Sequence, residues 1–78
     1  MPGSPSAGSR VSPAVVVLPA DPTGHHLAGV VREIGCALRA GDVVVDTSRV
    51  QERSPGLLLA LTRLHRVARA RGRSWSEI

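Results

Sequence analysis

Two short apolar runs decide the fold of this chain: AVVVL at residues 14–18 and VVV at residues 43–45. Both are unbroken and consist mainly of valine. The first lies between two prolines and the second between two aspartates. Runs of this length and composition are typical of strands that are buried on both faces of a parallel sheet. They therefore predict two parallel strands covered on both sides.

The segment between these runs predicts a helix over about residues 24–40. At 100° per residue its apolar side chains share one face, namely Leu27, Val30, Val31, Ile34 and Leu38. The preceding turn offers Asp21 or Thr23 as the N-cap, and Gly41 follows the last turn. Two strands joined by such a helix should be parallel neighbours with a right-handed crossover.

A second helix is predicted from Ser54 to about Arg71, because Ser–Pro is a strong helix start and Gly72 can end the last turn. Its apolar stripe consists of Leu57, Leu61, Leu64 and Ala68. Residues 74–76 predict the start of a third strand. The predicted fold class is α/β, a small parallel sheet with strand–helix–strand–helix order.

Length and composition predict one small domain. Residues 1–13 are mainly Pro, Gly, Ser and Ala and predict a disordered tail, which leaves residues 14–78 as the domain. No apolar stretch has the length of a signal peptide core or of a membrane span, so a cytoplasmic protein is expected. The single Cys36 rules out an intramolecular disulfide and fits a reducing compartment.

All ten basic residues are Arg, and the net charge is +4. The absence of Lys excludes phosphate-loop and Schiff-base chemistry. Between residues 14 and 72 there are nineteen Val, Leu and Ile residues and neither Phe nor Tyr. So small a core predicts a marginal monomer that gains stability from a partner, and a homodimer is one such partner.

The order of these elements, together with four short motifs, is similar to the STAS domain of bacterial anti-sigma-factor antagonists. The motifs are LPADPT at 18–23, VVVDTSRV at 43–50, RSPGL at 53–57 and ARARG at 68–72. The resemblance covers about residues 14–73. It implies a partial domain without the family's opening strands or its final strand and helix. It also implies a non-catalytic protein-interaction module in a phosphorylation-dependent partner switch that regulates transcription.

The resemblance assigns the switch to Ser54, which an anti-sigma factor of the serine-kinase type would phosphorylate. A phosphate there would meet the free N–H groups of a helix N-terminus, and Arg53 could pair with it. A plain N-cap role for Ser54 is compatible with this assignment. The predicted partner-binding residues are Asp21, Asp46, Ser48, Arg53, Gly56, Leu58 and Leu59.

The sequence offers little support for an aspartate phosphoacceptor site or a metal site. Asp21 and Asp46 each follow a strand, as in a response-regulator receiver, but the acidic pair and the Lys of that site are lacking. The resemblance to the STAS domain implies instead that Asp46 orders its loop by accepting a hydrogen bond. Neither the histidines nor Cys36 have metal-ligand spacing. No enzyme activity, metal or cofactor is therefore predicted.

Arginines on the second helix are the rival functional signal. Arg63, Arg66 and Arg69 lie opposite the apolar stripe, and Arg71 and Arg73 follow them at the end of the helix. Such a stripe could bind phosphates without sequence preference. Because no aromatic residues accompany it for stacking, a solvated outer face is the favoured interpretation and nucleic-acid binding the alternative. A third hypothesis is that the chain is a non-functional remnant.

Overall fold

A computed structural model describes residues 12–78 of the chain. The predicted tail, residues 1–13, lies outside the described residues except for Ser12 and Pro13. The elements alternate along the chain: β1 (Ala14–Val17), α1 (Gly24–Ala40), β2 (Val43–Asp46), α2 (Pro55–Ala70) and β3 (Trp75–Glu77). The predicted α/β class is confirmed, and the predicted third strand is present.

The three strands form one parallel sheet in the order β1–β2–β3. Val16 lies beside Val45 in the first pair, and Val43 lies beside Trp75 in the second. Leu18, predicted as part of the first strand, follows β1, but its amide still donates to the Asp46 carbonyl at 2.9 Å. The sheet therefore contains every strand predicted from the sequence, with β2 in its centre.

Both helices lie on the same face of the sheet. The inward side chains of the strands, Val16, Val43 and Val45, form one buried cluster with the apolar stripes of both helices. In a parallel sheet of order β1–β2–β3, successive crossovers of one hand place their helices on one side. A two-layer domain results.

The opposite face of the sheet is uncovered within residues 12–78. Val15 is 58 % exposed and Val17 is 46 % exposed. The prediction that the strands are buried on both faces is therefore wrong. Unbroken apolar runs signal two buried faces only where helices cover both, and here the strand order places both helices on one side.

The helix boundaries follow from capping residues. Thr23 is the N-cap of α1 but makes no side-chain cap bond, and the backbone of Gly41 closes that helix. Ser54 is the N-cap of α2, as predicted, and its Oγ accepts a hydrogen bond from the Leu57 amide at 3.1 Å. After α2, Gly72 adopts φ 70°, a value that glycine reaches without strain. Neither helix is long and apolar enough to cross a membrane.

Candidate functional site

The loops at the C-terminal edge of the sheet bring most of the predicted site residues to one end of the domain. Because all three strands are parallel, the loops that leave β1 and β2 emerge at this edge. The Gln51 amide donates to the Ala20 carbonyl at 3.2 Å, which joins the two loops. Asp21 lies exposed in the first loop, and the second carries the segment from Asp46 to Ser54.

Asp46 orders the loop that follows β2. Its Oδ1 accepts a hydrogen bond from the Ser48 amide at 2.9 Å, the loop-ordering role predicted for it. Hydrogen bonds from the Ser48 hydroxyl and then from the Ser48 amide lower the pKa of Asp46, and the charge of Arg49 adds to this. The carboxylate form is thus the one that holds the turn.

Ser54 lies half-buried at the start of α2, where its hydroxyl already serves the helix. The helix carries no acidic residue in its first turn, so no side chain of that turn neutralises the positive end of its dipole. Gly56, in that first turn, faces α1. A Cβ there would lie 3.6 Å from Leu27 Cδ2. This contact places the start of α2 against the first turn of α1.

Thr47 is the residue that the sequence prediction missed. It is the only buried polar side chain in residues 12–78. Its Oγ1 donates to the Ile78 carbonyl and accepts from Arg53 Nη2 at 3.1 Å. No local pattern could have indicated this role, because Thr47 becomes buried only when the segment of β3, about thirty residues later, pairs with β2.

Arg53 connects the loop before α2 to β3. Besides its bond to Thr47, its Nη1 lies 3.8 Å from Glu77 Oε1. Glu77 Oε2 in turn accepts from Trp75 Nε1 at 3.0 Å, and the Trp75 ring stacks on His65 of α2 with centroids 5.4 Å apart. A chain of polar and stacking contacts therefore runs from the residue beside Ser54 through β3 to the middle of α2.

Leu58 and Leu59 lie apart from the polar loops, on the outer surface of α2. Leu58 is 45 % exposed and Leu59 is 52 % exposed, while the adjacent Leu57 is fully buried. Both leucines, predicted as partner-binding residues, thus lie off the apolar stripe of α2. The structure thus divides the predicted residues into a polar loop edge and a neighbouring apolar patch one turn into the helix.

Of the five arginines in the predicted phosphate-binding stripe, four are exposed and one bonds within the domain. Arg63, Arg66, Arg69 and Arg71 are exposed. Arg73 instead donates to the carbonyls of Leu38 and Arg39, each at 3.2 Å, and so caps the C-terminal end of α1. Among residues 12–78 no group of three or more His, Cys, Asp or Glu side chains is placed to hold a metal ion.

Comparisons of the chain with protein-family models, with curated proteins and with solved structures give no match.

Proposed function

We propose that the chain is a non-catalytic, cytoplasmic protein-interaction module that resembles an anti-sigma-factor antagonist. Its partner would be an anti-sigma factor of the serine-kinase type, and phosphorylation of Ser54 would switch the complex. The proposal rests on the STAS-like motifs and on one observation above all. Ser54 caps α2 at the loop edge to which Asp21, Asp46, Ser48 and Arg53 also belong.

The surroundings of Ser54 suit a phosphoacceptor. The side chain is only half-buried. A phosphate at this position would face the first N–H groups of α2 and the positive end of its dipole, which favours the charged form. The ion pair of Arg53 with Glu77 is solvent-exposed and weak, so the guanidinium of this preceding residue can exchange Glu77 for the phosphate. Phosphorylation would thus add negative charge without breaking the helix start.

The exposed leucines suit the complementary part of a docking surface. Leu58 and Leu59 follow Ser54 within the first turns of α2 and contribute little to the core. Interfaces commonly place an apolar centre beside a polar rim. A partner that covers both leucines would reach the loop edge, where a phosphate on Ser54 would repel an acidic partner surface or recruit a basic one.

Phosphorylation by a cognate serine kinase with ATP tests this function. We expect incorporation of one phosphate, which peptide mass spectrometry maps to Ser54. Ser54→Asn should abolish it while preserving the fold, because asparagine is an equally good N-cap without a hydroxyl. Ser76→Ala is the matched control, since Ser76 is an exposed strand serine. Labelling that persists in Ser54→Asn contradicts the assignment.

Nucleic-acid binding through Arg63, Arg66, Arg69 and Arg71 is the second candidate, supported by their exposure. It requires affinity for a DNA duplex that falls steeply between low and physiological salt. Arg66→Gln combined with Arg69→Gln should flatten that salt dependence, whereas Arg32→Gln with Arg49→Gln, an equal charge change elsewhere, should not. An absence of binding at low salt removes this candidate.

A further inference from the structure

The outer edge of β1 carries unused backbone hydrogen-bonding groups. The amides of Ala14 and Leu18 donate to β2, at 3.0 Å and 2.9 Å. Because backbone groups alternate in direction along a strand, Val16 also pairs with β2, and the N–H and C=O groups of Val15 and Val17 point away from it. Within residues 12–78 β1 has no second neighbour. Such an edge is a template for another strand.

This edge lacks charged side chains, one of the features that protect edge strands against pairing. Natural edge strands are commonly blunted by charged side chains, especially lysine. Residues 12–20 contain no charged residue. The whole chain has sixteen charged residues, of which ten are basic and six are acidic. The opposite edge differs, because β3 carries Glu77 in contact with Arg53. Pro13 and Pro19 limit any pairing to residues 14–18.

The distribution of charge favours a second copy of this chain at the β1 edge. Two copies with a net charge of +4 repel each other wherever their arginines meet. Arg63, Arg66, Arg69 and Arg71 lie on or directly after α2, which packs against β3 and α1. A contact between the two β1 strands would place these arginines at the far ends of the assembly. The two β1 strands themselves therefore meet without charge repulsion.

The helices leave room for two copies to meet at their β1 strands. α1 packs over both β1 and β2, so its axis lies between them. A two-fold axis perpendicular to the sheet keeps the helices of both copies on the same face. Neighbouring strands lie about 4.8 Å apart, and each α1 axis lies about half that distance from its own β1. The two α1 axes would therefore be roughly 10 Å apart, at the upper end of the usual distance for packed helices. Strand pairing and helix contact can then occur together.

We propose that two copies of the chain join through an antiparallel β1–β1 pair. The outward groups of Val15 in one copy bond those of Val17 in the other, and each Val16 faces its counterpart across the axis. The result is a continuous sheet of six strands with four helices on one face. This inference does not depend on the proposed partner switch, because it uses neither Ser54 nor the loop edge.

Sedimentation of the full chain over a concentration series tests the interface. We expect a reversible monomer–dimer equilibrium. Val15→Lys or Val17→Lys should raise the dissociation constant about tenfold or more, because a lysine on an edge strand blocks pairing. Val67→Lys, at an exposed valine of α2, and Ser76→Lys, on the same open face but on β3, are the controls and should leave the constant unchanged. A monomer at all concentrations, or an equal loss in Ser76→Lys, overturns the proposal.

Cysteine cross-linking tests the register independently of affinity. In a Cys36→Ser background, Val16→Cys should form an intermolecular disulfide on mild oxidation. Residues that face each other at a non-hydrogen-bonded antiparallel position have Cα atoms about 4.5 Å apart, within the range that a disulfide spans. Leu59→Cys, on α2, should not cross-link. Equal cross-linking of the two variants, or none in Val16→Cys, overturns the proposed pairing.

Discussion

Arg53 Nη2 donates a 3.1 Å hydrogen bond to Thr47 Oγ1, and the same hydroxyl donates to the carbonyl of Ile78. The Thr47 amide also donates to that carbonyl, at 2.9 Å. Thr47 thereby joins the end of β2, the loop before α2 and the end of β3. The third strand has only three residues, so these bonds are a large part of what fixes its C-terminal end.

Thr47→Val should therefore loosen β3 more than the rest of the domain. The change keeps the shape of the side chain but removes both hydroxyl bonds, which costs about 1–2 kcal/mol of unfolding free energy. Fluorescence of the single Trp75 and hydrogen exchange of the Ile78 amide measure the local effect. Thr62→Val is the matched control, because the Thr62 hydroxyl is exposed and bonds only the Leu58 carbonyl of its own helix. Equal effects of the two changes would contradict the assigned role.

Ile34→Ala should unfold much of the population. Ile34 is fully buried between α1 and the sheet, and truncation of such a side chain costs about 2–5 kcal/mol. In so small a core that loss is comparable to the whole stability. Leu59→Ala, at an exposed position, should change stability by less than about 0.5 kcal/mol. Thermal unfolding followed by circular dichroism distinguishes the two, and similar melting curves would refute the described core.

Ser54→Ala should destabilise the domain by about 1 kcal/mol through loss of the N-cap of α2. Ser54→Asp should retain the cap and gain from the positive end of the helix dipole. Urea unfolding measures both variants, with Ser76→Ala as a neutral serine substitution. This prediction concerns stability alone and stands whether or not Ser54 is phosphorylated. It fails if Ser54→Ala unfolds at the same urea concentration as the unmodified chain.

Acid should weaken the domain through Asp46. Since hydrogen bonds from Ser48 lower the pKa of this carboxyl in the folded state, its stabilising contribution is fully present above the unfolded pKa of about 3.9 and is lost as the pH falls through the lower folded value. Stability measured between about pH 6 and pH 2 should therefore fall less in Asp46→Asn than in the unmodified chain. Asp21→Asn serves as the control at an exposed loop aspartate.

Local sequence signals determined the elements and most of their boundaries. The Ser54–Pro55 start of α2, the glycines at 41 and 72, and the stripes of both helices are properties of a few neighbouring residues, so pattern and capping rules find them. The placement of Asp21, Asp46, Ser48 and Ser54 at one edge follows as well, because parallel strands direct their following loops to the same side.

What the sequence alone determined is thus the set of strands and helices, their parallel order and the capping role of Ser54. Only the tertiary structure decided that both helices cover one face, which leaves Val15 and Val17 exposed. It also decided that Thr47 is buried and that Arg53 contacts both Thr47 and Glu77. The physical reason is that these features arise from contacts between segments distant in the chain, and a valine run is the same sequence whether one of its faces is covered or two.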